Sequence, residues 1–414
     1  MKCNFKQHMV SFKFSKIFFI VCIVVFCSCK ENSNKKEEAI VQDSSSFKNE
    51  KWSERMAASI MTRNENAFQI DQKEEPKWDY VHGLVLLAFQ ELSDKTGDPK
   101  YYDYGKAYVD TLVQKDGSIA SYKISDYNID MINAGKLLFR IYDKTKDEKY
   151  LMAMQLLRKQ LYEAPRTSEG GFWHKKRYPN QMWLDGLYMG APFYAQYTST
   201  FENGKYLDDV AKQFELIQEH ARDTVTGLLY HGWDESKEQK WADSQRGTSP
   251  NFWSRSLGWY AMALVDVLDY VPEDNPKHQE LVDYLNELAT ALVKVQDATG
   301  LWYQVPNMGN KEGNYLEASG SSMFAYALAK GVNKGYLPAS FLAVANKAFD
   351  GLVDKLILVN DDGTITITEA CAVAGLGGDP YRDGSYEYYV NERKQNNDPK
   401  ATGPFIMAAL QLNR

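Results

Sequence analysis

Past residue 50, apolar residues recur at helical spacing in segments of about 12 to 20 residues, and the segments alternate between two kinds. One kind is apolar nearly all round and rich in small residues: 80–91, 130–142, 183–197, 253–268, 319–329 and 402–412. The other is charged on one face: 53–68, 100–113, 149–161, 205–220, 277–295 and 339–355. An all-round apolar helix has to be buried, and an amphipathic one covers it. Six of each, in alternation, predict six buried helices inside six covering ones.

The junctions between segments repeat as well. Asp98-Pro99-Lys100-Tyr101, Asp147-Glu148-Lys149-Tyr150 and Glu202-Asn203-Gly204-Lys205-Tyr206 each open a covering segment, with their lysines 49 and 56 residues apart. Glycine turns with short strand-like pieces follow at Gly117, Gly171, Gly227, Gly300 and Gly363. A period near 50 with two helices per unit is a repeat architecture. The expected fold is all-α, a closed (α/α)6 barrel with short β-like loops at its rims. An open solenoid is the alternative, but it needs polar-faced terminal repeats. The last segment, around Pro404-Phe405-Ile406-Met407, is instead apolar.

The first 28 residues read as an export signal. Lys2, Lys6, Lys13 and Lys16 precede an apolar run over 17–26, too short to span a bilayer. Cys27-Ser28-Cys29 follows, as in a bacterial lipoprotein signal, with Cys29 as the lipidated residue. Residues 29–50, charged and serine-rich, read as a flexible tether, and 51–414 as the catalytic domain. The expected location is the outer membrane of a Gram-negative cell, held by the lipid anchor only, or otherwise the periplasm.

Losing the four leader lysines moves the net charge from −7 to about −11. An acidic exported chain argues against nucleic acid as a partner. Four of the five cysteines lie in the first 29 residues, so Cys371 has no disulfide partner in the body. A hydrophobic core must hold the domain together.

The chemistry-bearing residues cluster at the starts of the apolar segments. Helix N-termini favour anions, and in a toroid these starts share one rim. Asp185 stands between Trp183 and Tyr188 where a polar loop enters an apolar helix. Desolvation by such rings raises a carboxyl pKa toward the range where it can donate a proton. Asp130 holds the same place one repeat earlier. If both face one cavity, like-charge coupling keeps one protonated. The plainer reading of each is an N-cap or first-turn acid, worth about 1 kcal/mol to its helix.

His174 and Lys175 follow one glycine turn, and His231 follows the next, so they share a rim. No second His or Cys stands at zinc-ligand spacing, so neither metal nor cofactor is expected. Their functional reading is hydrogen bonding to sugar hydroxyls, and their plain reading is surface histidine. Arg255, between Trp253 and Trp259, either stacks on tryptophan or binds a carboxylate bidentately; in an acidic protein the second is expected.

Three stretches resemble glycoside hydrolase family 105, the unsaturated rhamnogalacturonyl and glucuronyl hydrolases. They are Met182-Trp183-Leu184-Asp185-Gly186-Leu187-Tyr188-Met189-Gly190-Ala191-Pro192-Phe193, Phe252-Trp253-Ser254-Arg255-Ser256-Leu257-Gly258-Trp259, and 375–389. The resemblance covers the chain from about residue 50 to its end. Lys400-Ala401-Thr402-Gly403 departs from it where the family has Lys-Gly-Val-Gly.

The resemblance implies that Asp185 is the catalytic acid/base and Asp130 the second pocket carboxylate. His174, Lys175, Trp183, His231, Trp253 and Arg255 would line the sugar site, with Tyr188 and Trp259 completing the substrate-binding set. The substrate it implies is a 4,5-unsaturated uronic acid at the non-reducing end of a lyase-generated oligosaccharide. Rhamnogalacturonan and ulvan are both suitable source polymers. Arg255 or Lys175 would meet the substrate carboxylate. Two other readings stay open on the residues: an inverting glycosidase using Asp185 and Asp130, and a non-catalytic glycan-binding lipoprotein.

Overall fold

The computed structural model describes residues 50–414. The leader, Cys29 and the tether, save for Glu50, lie outside the described residues. No helix among the described residues is long and apolar enough to cross a membrane.

All twelve expected segments are helical. The covering helices are α1 (Trp52–Arg63), α3 (Pro99–Leu112), α5 (Glu148–Glu163), α7 (Leu207–Ala221), α9 (Pro276–Lys294) and α11 (Phe341–Leu356). The inner ones are α2 (Tyr80–Thr96), α4 (Lys136–Thr145), α6 (Leu184–Phe201), α8 (Ser254–Val267), α10 (Ala318–Asn333) and α13 (Pro399–Leu412). A short α12 (Tyr386–Asn391) precedes the last. Every residue of α8 is buried, whereas α9 buries only its apolar stripe.

Inner helices pack in a ring, α2 to the Asp130 element, then α6, α8, α10 and α13, and α13 returns to α2. That last contact closes the barrel and removes the open solenoid. Each covering helix lies on its inner partner, with α1 on α13 at the seam between the two ends of the domain.

The repeated Asp-x-Lys-Tyr junction is a capping device. The Asp98 carboxylate accepts from the backbone N–H of Lys100 at 3.0 Å, and Asp147 from that of Lys149 at 3.1 Å. At the third junction Thr198 instead accepts from the N–H of Tyr206, and α7 begins without a side-chain cap of its own.

The glycine turns are mostly closed by single bridges, such as Arg166 with Phe172 and Arg222 with Leu229, rather than by strands. True strand pairs are short. β1 (Gln181–Trp183) runs antiparallel to β2 (Gly232–Asp234), with Trp183 opposite Gly232. This pair ties the start of α6 to the loop carrying His231. β3 (Ile357–Val359) pairs with β4 (Ile365–Ile367) around Gly363.

One inner segment differs from expectation. Residues Ile129–Gly135 form a 3-10 stretch before α4 begins. Its tight winding brings Ile129 against α6: a side chain at Gly190 would meet Ile129 at 2.8 Å. Small residues at 186 and 190 therefore let α6 lie directly on the Asp130 turn.

Candidate active site

Four inner elements start with a side-chain cap: Asp79, Asn128, Glu317 and Asp398 each accept from a backbone N–H just downstream. The other two, α6 and α8, follow Trp183 and Trp253 and have no side-chain cap. Asp185 and Asp130 are each the second residue of their element, and neither caps it. Neither carboxylate is an N-cap, and both stand in the first turn of their element, where an acid also complements the helix dipole.

Oδ2 of Asp185 lies 3.2 Å from Nε2 of His231. Neither atom has a hydrogen bond to any other group. The Asp185 side chain keeps 14% of its surface open, while His231 is wholly buried. On its other side, Nδ1 of His231 lies 2.7 Å from the Tyr389 hydroxyl.

Asp130 has different company. Its carboxylate lies 2.5 Å from Nζ of Lys175 and 3.4 Å from Nε2 of His174. Burial pushes its pKa up, but Lys175 and then His174 outweigh burial and hold it below the ordinary carboxylate value. Asp130 is therefore an ion-paired anion. The expected sharing of one proton between the two aspartates gives way to a cation placed beside one of them.

The Trp183 ring joins the two halves. It stacks on His174 at 4.3 Å and on Tyr178 at 4.9 Å, and meets His231 edge-on at 5.5 Å. Its indole N–H donates to Gln181 at 3.1 Å.

His174 is buried and neutral: burial lowers its pKa to about 4, and Asp130 restores only part of the loss. The unfolded ring titrates near 6.5. Between about pH 6.5 and pH 4 the unfolded chain binds a proton that the folded chain refuses. Stability should therefore fall as pH drops through this window. Below it the Asp130 pair is lost in its turn as the carboxylate protonates. Denaturant midpoints measured against pH should show that slope, and His174→Gln should flatten it. An unchanged slope would refute the assignment.

Several sequence expectations need correction. Trp183, Trp253 and Trp259, expected to line the substrate site, are all buried. Trp259 stacks on Tyr188 at 5.0 Å, and Nζ of Lys136 sits 3.6 Å over the Tyr188 ring. Tyr188 and Trp259 therefore belong to the barrel core, not to the sugar-facing surface. Arg255 is 1% exposed, and its hydrogen bonds within the chain go to neutral groups. It donates to the Cys371 carbonyl and to Ser319, and lies 4.7 Å over the Trp253 ring. The stack on Trp253 that the sequence allowed is therefore present.

Other contributors were not singled out from sequence. Tyr389 stacks on Trp253 at 5.9 Å, and Gln304 bridges the two, accepting from the Trp253 indole at 3.0 Å and donating to the Tyr389 carbonyl at 2.9 Å. Arg382 donates to the Tyr178 hydroxyl at 2.8 Å, anchoring the C-terminal motif behind Trp183. Exposed Lys176 and Arg177 extend the basic loop beside Lys175.

A cavity of about 670 Å³ opens at the opposite rim, lined by Glu91, Lys136, Asp266, Asp269 and Lys330 among others. Of the residues above only Lys136, which lies under the Tyr188 ring, lines it. There Lys330 bonds both Asp266 and Asp269 at 2.7 Å. Among the described residues the one metal-like grouping, Glu169, Glu219 and His220, also lies outside the site, and both glutamates are exposed.

The sequence model of Glycosyl Hydrolase Family 88 matches residues 52–414. A solved glycoside hydrolase of family 105 from Clostridium acetobutylicum ATCC 824 is 45% identical, with a TM-score of 0.84, over 88% of this chain and 99% of that one. Protein Atu3128 of Agrobacterium fabrum is 37% identical over 53% of this chain and 96% of its own. The unsaturated rhamnogalacturonyl hydrolase YesR of Bacillus subtilis is 26% identical over 75% of this chain and 84% of its own.

Proposed function

The chain belongs to the glycoside hydrolases of the family 88 and 105 group, and from that premise we propose that it removes a 4,5-unsaturated uronic acid from the non-reducing end of lyase-generated oligosaccharides. Glucuronyl and galacturonyl forms linked to rhamnose, from rhamnogalacturonan or ulvan, are the proposed substrates. The observation that carries this reading is Asp185: a carboxyl group free of any capping duty, partly open, with one oxygen against a buried histidine.

The substrate's C4=C5 bond is an enol ether. Asp185, protonated, gives its proton to C4, and positive charge develops at C5 and the ring oxygen. As a carboxylate it then takes a proton from the water that adds at C5. The hemiketal so formed opens, and the aglycone leaves with its oxygen protonated. One acid/base group serves both steps, so the carboxylate spacing that separates retaining from inverting glycosidases has no part in it.

Asp130 holds Lys175 in place at the rim. We assign the substrate carboxylate to Lys175 and the exposed basic loop beyond it, in place of the buried Arg255. The leader and Cys29, if processed as expected, would put the enzyme at the outer membrane where such products arrive.

A panel of disaccharides tests the reading. Unsaturated uronyl-rhamnose pairs, sulfated and unsulfated, should lose their ultraviolet absorbance with enzyme, while saturated counterparts should not be cleaved. Cleavage of saturated substrates at a similar rate would favour a conventional inverting glycosidase.

A further inference from the structure

We infer that Tyr389 is a positioning residue that fixes the tautomer of His231 and thereby decides which oxygen of Asp185 carries the transferable proton. The inference rests on Asp185 being the acid proposed above.

Tyr389 reaches the site from α12, 158 residues away in the chain. Its ring is fully buried, and Trp253 and Gln304 hold it in place. Burial, then Tyr388 and Asp185, push the phenol well above its ordinary pKa, so it stays a neutral hydroxyl. A neutral hydroxyl can either donate to or accept from Nδ1 of His231.

The proposed chemistry on the far side of the imidazole selects between them. Nε2 and the Asp185 Oδ2 approach to 3.2 Å, and neither has a hydrogen-bond partner. Buried polar atoms without a partner are costly, so one of the two must carry a proton toward the other. If Tyr389 donates to Nδ1, the ring proton sits on Nε2 and is offered to Oδ2. Oδ2 then acts as acceptor whether or not Asp185 is ionised, and the acidic proton belongs on Oδ1. If Tyr389 accepted instead, Nε2 would show a lone pair to Oδ2. Asp185 would then be satisfied only with its proton on Oδ2, held by the histidine and withheld from C4. Only the first arrangement suits both the donation step and the water step.

The charged and titratable groups around this pair come from several elements. Asp185 faces His231 from α6 and Tyr389 faces it from α12. His174, with Asp130 and Lys175, lies across the Trp183 ring, and Arg255 lies over Trp253. Cys371 and Asp383 act on Tyr389 from behind.

Tyr389→Phe keeps the ring stack and removes only the hydroxyl. It should lower kcat about tenfold to hundredfold while KM for an unsaturated disaccharide changes less than about twofold, because the buried ring touches no substrate. In nitrogen-15 spectra of the histidine-labelled full chain, His231 should carry its proton on Nε2 in the wild type and shift toward Nδ1 in the variant. A wild-type His231 protonated on Nδ1 overturns the inference without any variant. So does a variant with wild-type kcat, or one that is slow with its tautomer unchanged, which would make Tyr389 merely structural. Asp185→Asn, run in parallel, separates the two claims. If that variant turns over normally, the acid assignment itself fails; if it is dead while Tyr389→Phe is unimpaired, only the tautomer inference fails.

Discussion

Asp185→Asn should lose about 10²- to 10⁴-fold in kcat with little change in KM, while the protein remains folded. The amide matches the carboxyl in shape, so the site should bind substrate much as before. It cannot deliver a proton to C4, however, nor take one from water, and both proposed steps pass through this one group. Folding should survive because a first-turn acid that makes no cap adds only a small dipole contribution to its helix. It caps no helix, and its one close polar neighbour is His231 at 3.2 Å, toward which the amide oxygen can still point. Decay of ultraviolet absorbance on an unsaturated disaccharide reports turnover, and near-ultraviolet circular dichroism reports the tryptophan packing around the site. A variant within about twofold of wild-type kcat would remove Asp185 from the mechanism.

What the sequence could and could not reveal follows from the range of the interactions. The barrel was legible because its signal is local: apolar periodicity within each segment and capping aspartates such as Asp98 and Asp147 at their starts. The rim was legible for the same reason, since helix starts announce themselves. The orientation of side chains within it was not. Trp183, Trp253 and Arg255 stand at the expected positions, but whether a ring faces a sugar or the core depends on what packs behind it. That is decided by Tyr178 on the loop just upstream, and by Gln304 and Cys371, which come from other repeats. The pairing of Asp130 with Lys175 was hidden too, because the partners lie on different elements and only the 3-10 turn at Ile129 brings them together. Tyr389 sat within a recognisable stretch of sequence, yet nothing local marks its hydroxyl as the partner of a histidine far upstream.

The two ends of the barrel divide the labour, and the second large effect belongs to the end without the chemistry. Lys330→Met should destabilise the fold by about 3–5 kcal/mol while leaving kcat of the folded enzyme close to wild type. Lys330 is buried, with Nζ 2.7 Å from both Asp266 and Asp269 and 3.2 Å from the Tyr326 hydroxyl. Burial alone would lower its pKa, but Asp266 and Asp269 overcome that and raise it, so it is a firm cation. Methionine fills most of the same volume without the charge, leaving Asp266 buried with only the Tyr326 hydroxyl to hold it. Glu91 adds to the strain. Burial has already pushed its pKa up to about 7, with Lys330 the largest influence opposing that rise. Removing the lysine takes that counterweight away from a carboxyl lining the same cavity. Urea midpoints should drop accordingly, and adding Asp266→Asn to Lys330→Met should recover part of the loss, because it removes the orphaned charge as well. A Lys330→Met protein that unfolds at the wild-type midpoint would mean that water entering the cavity solvates Asp266 and Asp269 well enough to replace the lysine.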